Sequence, residues 1–138
     1  MPLVDIYLHQ GVTTRDQRKA ISDAIHAAMI ETLAIPDDDR FHYFHEFPEG
    51  TLFHENVVFG IPRSDRLMSI TLSFNDRTAD IKKALFESLV KHLHDNAGVP
   101  QEDVAFRILE TARENWWAAG RAIDPKTGYD ERMTSIVE

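Results

Sequence analysis

The sequence predicts an α/β fold, an α+β sandwich in which two tandem β-α-β units form a four-stranded sheet with two helices on one face. Three observations carry that expectation. Residues 3–46 laid on residues 67–110, an offset of 64, agree at ten of 44 positions without a gap, where chance gives about three. Each segment opens with apolar residues at every second position, the period of a half-buried strand. Each continues with apolar residues at every fourth position, the stripe of an amphipathic helix.

The elements follow in order. Val4, Ile6 and Leu8 alternate with Asp5 and Tyr7 in the first strand, and Met68, Ile70 and Leu72 repeat the pattern. Thr14-Arg15-Asp16-Gln17 has the form of a capping box, so a helix opens there, with Ile21, Ile25, Met29 and Leu33 as its stripe. Thr78 opens the second helix, whose stripe is Ile81, Leu85, Leu89 and Leu93. Ala34-Ile35-Pro36 and Gly98-Val99-Pro100 end the helices, and acidic turns lead to strands near Phe41–Glu46 and Val104–Glu110. Identities such as Pro36/Pro100, Asp39/Asp103 and Glu46/Glu110 make a duplication with one unbroken register the expectation. Between the units, residues 47–64 contain Val57-Val58-Phe59 as a short extra strand, and residues 121–138 read as a polar C-terminal arm on a single domain spanning 1–138.

The totals exclude several classes. With 43% hydrophobic and 28% charged residues the chain is globular, and no apolar run approaches the roughly 20 residues of a membrane span. The start lacks the basic flank and apolar stretch of a secretory signal, so a cytoplasmic location is expected. There is no cysteine, hence no disulfide, thiolate metal site or cysteine nucleophile. A net charge of -8 argues against nucleic acid as a partner, and it means that an anionic substrate needs specific arginines to hold it. The seven histidines include His42/His45 and His92/His94, but no standard zinc spacing, so no metal site is expected; His26 is expected to flank the apolar stripe. Both helices lie on one sheet face, so the other face is uncovered and homo-oligomerisation is expected.

Methionine is trimmed before a small second residue, so the mature chain is expected to begin with Pro2, directly at the first strand. A terminal secondary amine can serve as base, acid or nucleophile, and burial favours its neutral form. Arg77 just precedes a helix N-terminus, where the dipole disfavours a cation unless an anionic ligand compensates. Asp39 reads either as a turn cap, like its counterpart Asp103, or as a site residue. Asn75 reads as a donor or a turn residue, and Trp116 and Trp117 as pocket wall or core edge.

Pro2 opening a strand, the duplicated unit and the absence of cysteine resemble the tautomerase superfamily. Three stretches are similar to its malonate semialdehyde decarboxylase group: Ile35–Phe41 leading into His45–Pro48, Ser73-Phe74-Asn75-Asp76-Arg77-Thr78, and Glu114–Arg121. The resemblance implies that Pro2 is the catalytic amine, that Asp39 activates water or orients the substrate, and that Arg77 binds the substrate carboxylate. It also implies that Trp116 lines the pocket, that the chain forms a homotrimer, and that no cofactor is needed. Two departures stand out. Asn75 occupies the place of a second arginine, and the stretch around Trp116 is one residue short, so Trp117 could form the wall instead. The expected function is keto-enol tautomerisation or decarboxylation of small oxo-carboxylic acids. The alternative is a non-catalytic oligomeric binding or signalling module on the same fold.

Overall fold

Val4, Ile6 and Leu8 are fully buried on one face of β1 (Leu3–His9), while the residues between them keep partial access on the other. The computed structural model describes residues 2–127. Helix α1 (Arg15–Leu33) begins at the expected capping box: Thr14 Oγ1 accepts the Gln17 N–H at 3.1 Å, and the Gln17 side chain accepts the Thr14 N–H at 2.8 Å. Its stripe of Ile21, Ile25, Met29 and Leu33 is buried. Strand β2 (His42–Phe47) then runs parallel to β1. After a hairpin of β3 (Val57–Val58) and β4 (Ile61–Pro62), the series repeats as β5 (Met68–Phe74), α2 (Ala79–Ala97) and β6 (Val104–Glu110). Thr78 caps α2, and Leu85, Leu89 and Leu93 are buried along it. Both helices are 19 residues long, and Arg15 and Ala79 open them at the offset of 64 seen in the sequence.

The sheet order is β2-β1-β5-β6. The outer pairs are parallel, and the central pair, β1 with β5, is antiparallel. The helices pack against each other and against Val4, Ile6, Leu8, Met68, Ile70, Leu72 and Phe74 to form the core. Each fully buried Leu or Ile contributes about 1.5–3 kcal/mol relative to exposure, so this one-sided layer dominates the stability of the fold. The other sheet face presents Asp5, Tyr7, Tyr43, His45, Thr71, Arg107 and Leu109. There, Tyr7 and Tyr43 stack on either side of His45, with ring centroids 4.6 and 5.8 Å away, and His45 Nε2 meets Asp5 Oδ1 at 2.8 Å. Both described helices pack on the core face, and no described helix is long and apolar enough to cross a membrane.

Three expectations need correction or refinement. The unbroken register holds only through Asp39 and Asp103, whose N–H groups both close turns on Pro36 O and Pro100 O. Val4 then pairs with His42, while its counterpart Met68 pairs with Val104, so the first unit carries two extra residues before its second strand. Phe44 and Phe106 are the true equivalents, and Glu46/Glu110 are not. A shift of two preserves which face each side chain takes, which is why the alternation did not reveal it. Second, His26 sits at the edge of the stripe and yet is buried there, under the turn that follows α1. Third, the expected arm at 121–138 begins as structure: β7 (Trp117–Ala118) pairs with β8 (Arg121–Ala122), and Ile123 is buried, its N–H bonded to Trp116 O at 3.1 Å. Residues 128–138 lie outside the described residues.

Candidate active site

The antiparallel centre of the sheet decides what meets at its ends. Leu3 pairs with Ser73, so the start of β1 lies against the end of β5, and Pro2 falls in line with Phe74. On the other side Val4 pairs with His42 and donates its N–H to Phe41 O at 3.0 Å, which brings the residues around Asp39–Phe41 alongside Pro2. Pro2 is buried there. A parallel centre would have set the start of β1 beside the start of β5, away from Asn75 and Arg77.

Past β5 the chain turns through Asn75, Asp76 and Arg77 into the cap of α2. Arg77 is partly buried, and its Nη1 donates to the carbonyls of Asn75 and Asp76, both at 3.1 Å. Its guanidinium carbon lies 5.8 Å from the centre of the Phe74 ring, within cation–π range. These contacts brace the planar fork at the end of β5. Asn75 is buried, and its side-chain oxygen accepts the indole N–H of Trp116 at 2.8 Å. That bond orients the amide so that its NH₂ group faces away from the indole. The segment carrying Trp116 is tied down at both ends: Thr111 N–H bonds to Phe74 O at 2.8 Å, and Trp116 N–H bonds to Arg113 O at 3.3 Å. Trp117, the next residue, is 70% exposed. Successive residues of an extended segment point to opposite sides, so only one tryptophan turns inward.

Asp39 and Asp103 show how one duplicated carboxylate takes two environments. Asp103 is buried and saturated: its oxygens accept the Ser64 N–H and the Ser64 hydroxyl, each at 2.7 Å. By the offset of 64, the counterpart of Ser64 would precede Met1. Asp39 lies in a different setting: burial pushes its carboxyl above the ordinary carboxylate range, the charge of the amino terminus opposes this, Asp38 adds to the rise and His26 opposes it.

His26 is the residue that sequence reasoning missed. Its Nε2 donates to Asp37 O at 2.7 Å, which anchors the turn that carries Asp39. Beside it, burial and then the charges of Arg40 and His26 push the His42 imidazole down to about 4, and Ser22 Oγ bonds its Nδ1 at 2.7 Å.

The structure therefore gathers Pro2, Asp39, Asn75, Arg77 and Trp116 at one end of the sheet and leaves Trp117 outside. A cavity of about 40 Å³ bounded by Thr13, Gln17, Arg66 and Asp103 lies at the opposite end. It holds only a few water molecules, so it does not compete as a substrate site.

A family model described as tautomerase enzyme matches residues 39–117, and a second with the same description matches residues 2–65. The chain belongs to the tautomerase family. It is similar to the probable tautomerase YusQ of Bacillus subtilis (strain 168), with 32% identity over 88% of this chain and 97% of that protein. Among solved structures, the tautomerase-family chain is similar to FG41 malonate semialdehyde decarboxylase inhibited by 3-bromopropiolate, at 33% identity and a TM-score of 0.78, covering 87% of this chain and 92% of the other. It is also similar to a malonate semialdehyde decarboxylase described with decarboxylase and hydratase activities, at 26% identity and a TM-score of 0.80, covering 87% and 93%.

Proposed function

We propose that the chain, once it begins at Pro2, is a cofactor-independent tautomerase acting on small oxo-carboxylic acids. The observation that carries this reading is the register of β1 against β5, which sets the start of β1, just after Pro2, against the end of β5, the strand that leads into Asn75 and Arg77.

Each group then has a task. Arg77 holds the substrate carboxylate through paired N–H donors, a geometry that its braced fork favours. The Asn75 NH₂ group supplies a further donor beside it, and Trp116 forms the apolar wall. The Pro2 amine, neutral, takes the enol hydroxyl proton and returns a proton to the adjacent carbon, which leaves the amine unchanged over the cycle. The elevated Asp39 carboxyl stands ready to hold a proton or orient a water. If the amine is instead cationic, it polarises the carbonyl of a 3-oxo acid. The C–C bond electrons then pass to the enolate oxygen as CO₂ departs, and the enolate takes a proton. Asn75 in place of a second arginine removes one charged contact, which favours tautomerisation over decarboxylation for this chain. A homotrimer built on the open sheet face completes the proposal, with small anionic oxo-acids as substrates.

The test compares untagged protein beginning at Pro2 with Pro2→Ala and Arg77→Ala on phenylpyruvate enol and on malonate semialdehyde. Pro2→Ala is expected to lower kcat/KM by about 100-fold or more, and Arg77→Ala chiefly to raise KM. Equal rates in all three proteins would instead favour the non-catalytic module.

A further inference from the structure

We propose that His9, His54 and Asp65 form a binding site for a divalent transition-metal ion of the Zn²⁺ type, at the end of the sheet opposite Pro2. One ligand atom from each of these residues lies within 4.8 Å of the other two. The three come from separate segments: the last residue of β1, the connection after β2, and the turn before β5. No local motif could announce such a set.

The two imidazoles face each other through Nε2, 2.8 Å apart, with ring centroids at 5.0 Å. His54 Nδ1 lies 3.2 Å from Glu55 O, a carbonyl that can only accept, so the His54 proton sits on Nδ1 and the Nε2 lone pair points at His9. A carbonyl holding the remote N–H of an imidazole is the usual second contact of a metal-bound histidine. In the metal-free chain His9 Nε2–H must therefore donate to His54. An ion entering between the rings replaces that proton, which moves to His9 Nδ1 with no change in the ring's charge. Ligand bonds of about 2.0–2.1 Å in a tetrahedral arrangement set donor atoms about 3.3 Å apart, so the rings need to separate by only about half an ångström. Two imidazoles and one carboxylate suit Zn²⁺ and leave a coordination position for water.

The scaffold around the three residues is fixed from both sides. Arg63 Nε donates to Glu55 O at 2.8 Å, and Arg63 N–H to Asn56 O at 2.8 Å, which clamps the His54 segment to the strand before Asp65. The Ser64–Leu67 turn that carries Asp65 is held by Asp103 through both Ser64 contacts. The ion would tie the long connection between the two units to the end of β1. The net charge of -8 favours a cation at such a site.

The experiment titrates Zn²⁺ into untagged full-length protein against a chromophoric chelator, and repeats the titration with Co²⁺ while recording its visible d–d bands. One ion per chain is expected, with intense tetrahedral bands. His9→Ala and His54→Ala should each weaken binding by about 10-fold or more, and Asp65→Asn by less. His92→Ala and His94→Ala should leave it unchanged. Zn²⁺ should also slow amide exchange across residues 51–66. If circular dichroism shows that His9→Ala has unfolded, His54→Ala and Asp65→Asn in the connection decide the matter. Binding that survives His54→Ala, or several ions per chain lost piecemeal in the His92 and His94 variants, would overturn the proposal. Pro2→Ala should bind Zn²⁺ normally, so this test stands apart from the catalytic reading.

Discussion

Trp116 donates its indole N–H to the side-chain oxygen of Asn75 at 2.8 Å, and both residues are buried. The bond links the end of β5 to the segment after β6 and sets which way the Asn75 amide points. A double-mutant cycle of Asn75→Ala and Trp116→Phe, read by urea unfolding, should give a coupling of about 1 kcal/mol. Asn75→Ala alone should cost about 1–3 kcal/mol, because it leaves a buried indole N–H without a partner. Strict additivity would show that the bond contributes nothing.

Asp39 should set function against stability. Its folded carboxyl is raised chiefly by burial, so the native state binds the proton more tightly than the unfolded chain does. Its contribution is therefore complete below the ordinary carboxylate range and is lost as pH rises through the elevated folded value. At pH 7 Asp39→Asn should melt at a higher temperature than the parent while turning over more slowly. The gap in melting temperature should close as the pH falls into the acid range. A variant less stable than the parent at pH 7 would contradict the assignment.

His42 predicts the opposite sign. Its imidazole is pushed down to about 4, so the native state resists the proton that the unfolded chain accepts near 6.5. Stability from this site is complete above the unfolded value and falls as pH drops towards 4. After allowance for partial exposure, the loss is about 2 kcal/mol. Denaturant midpoints recorded from pH 7 to pH 4 should show this loss in the parent and a flatter profile in His42→Asn. Parallel profiles would exclude His42 as the source.

The periodic signals made the helices, their caps and the strand faces legible, because each is a local pattern of three to four residues. What was not legible depends on pairing between distant segments. The two extra residues before β2 keep the period-2 alternation intact. Trp116 and Trp117 are chemically equal until one of them meets Asn75. His26 looked peripheral because its partner, the Asp37 carbonyl, belongs to a turn that folds back over α1. His9, His54 and Asp65 converge only because β1 ends where β5 begins.

The open sheet face should mediate assembly. Tyr7, Tyr43 and His45 form a stacked aromatic group on it. Light scattering should return about three times the chain mass of 15.8 kDa for the parent. Tyr7→Lys with Tyr43→Lys should reduce that to one chain with the helical signal retained, since neither residue reaches the core. A monomeric parent would contradict the assembly.

The proposed catalysis turns on a free amine at Pro2. The direct measurement is the rate of phenylpyruvate enol ketonisation for two proteins with identical side chains from Pro2 onward, one beginning at Pro2 and one retaining a residue before it. The preceding residue converts the basic nitrogen into an amide and leaves Asp39, Asn75, Arg77 and Trp116 in sequence. The protein beginning at Pro2 should be faster by about 100-fold or more, and removal of the extra residue should restore the slower one. Equal rates before and after removal would contradict the role given to Pro2.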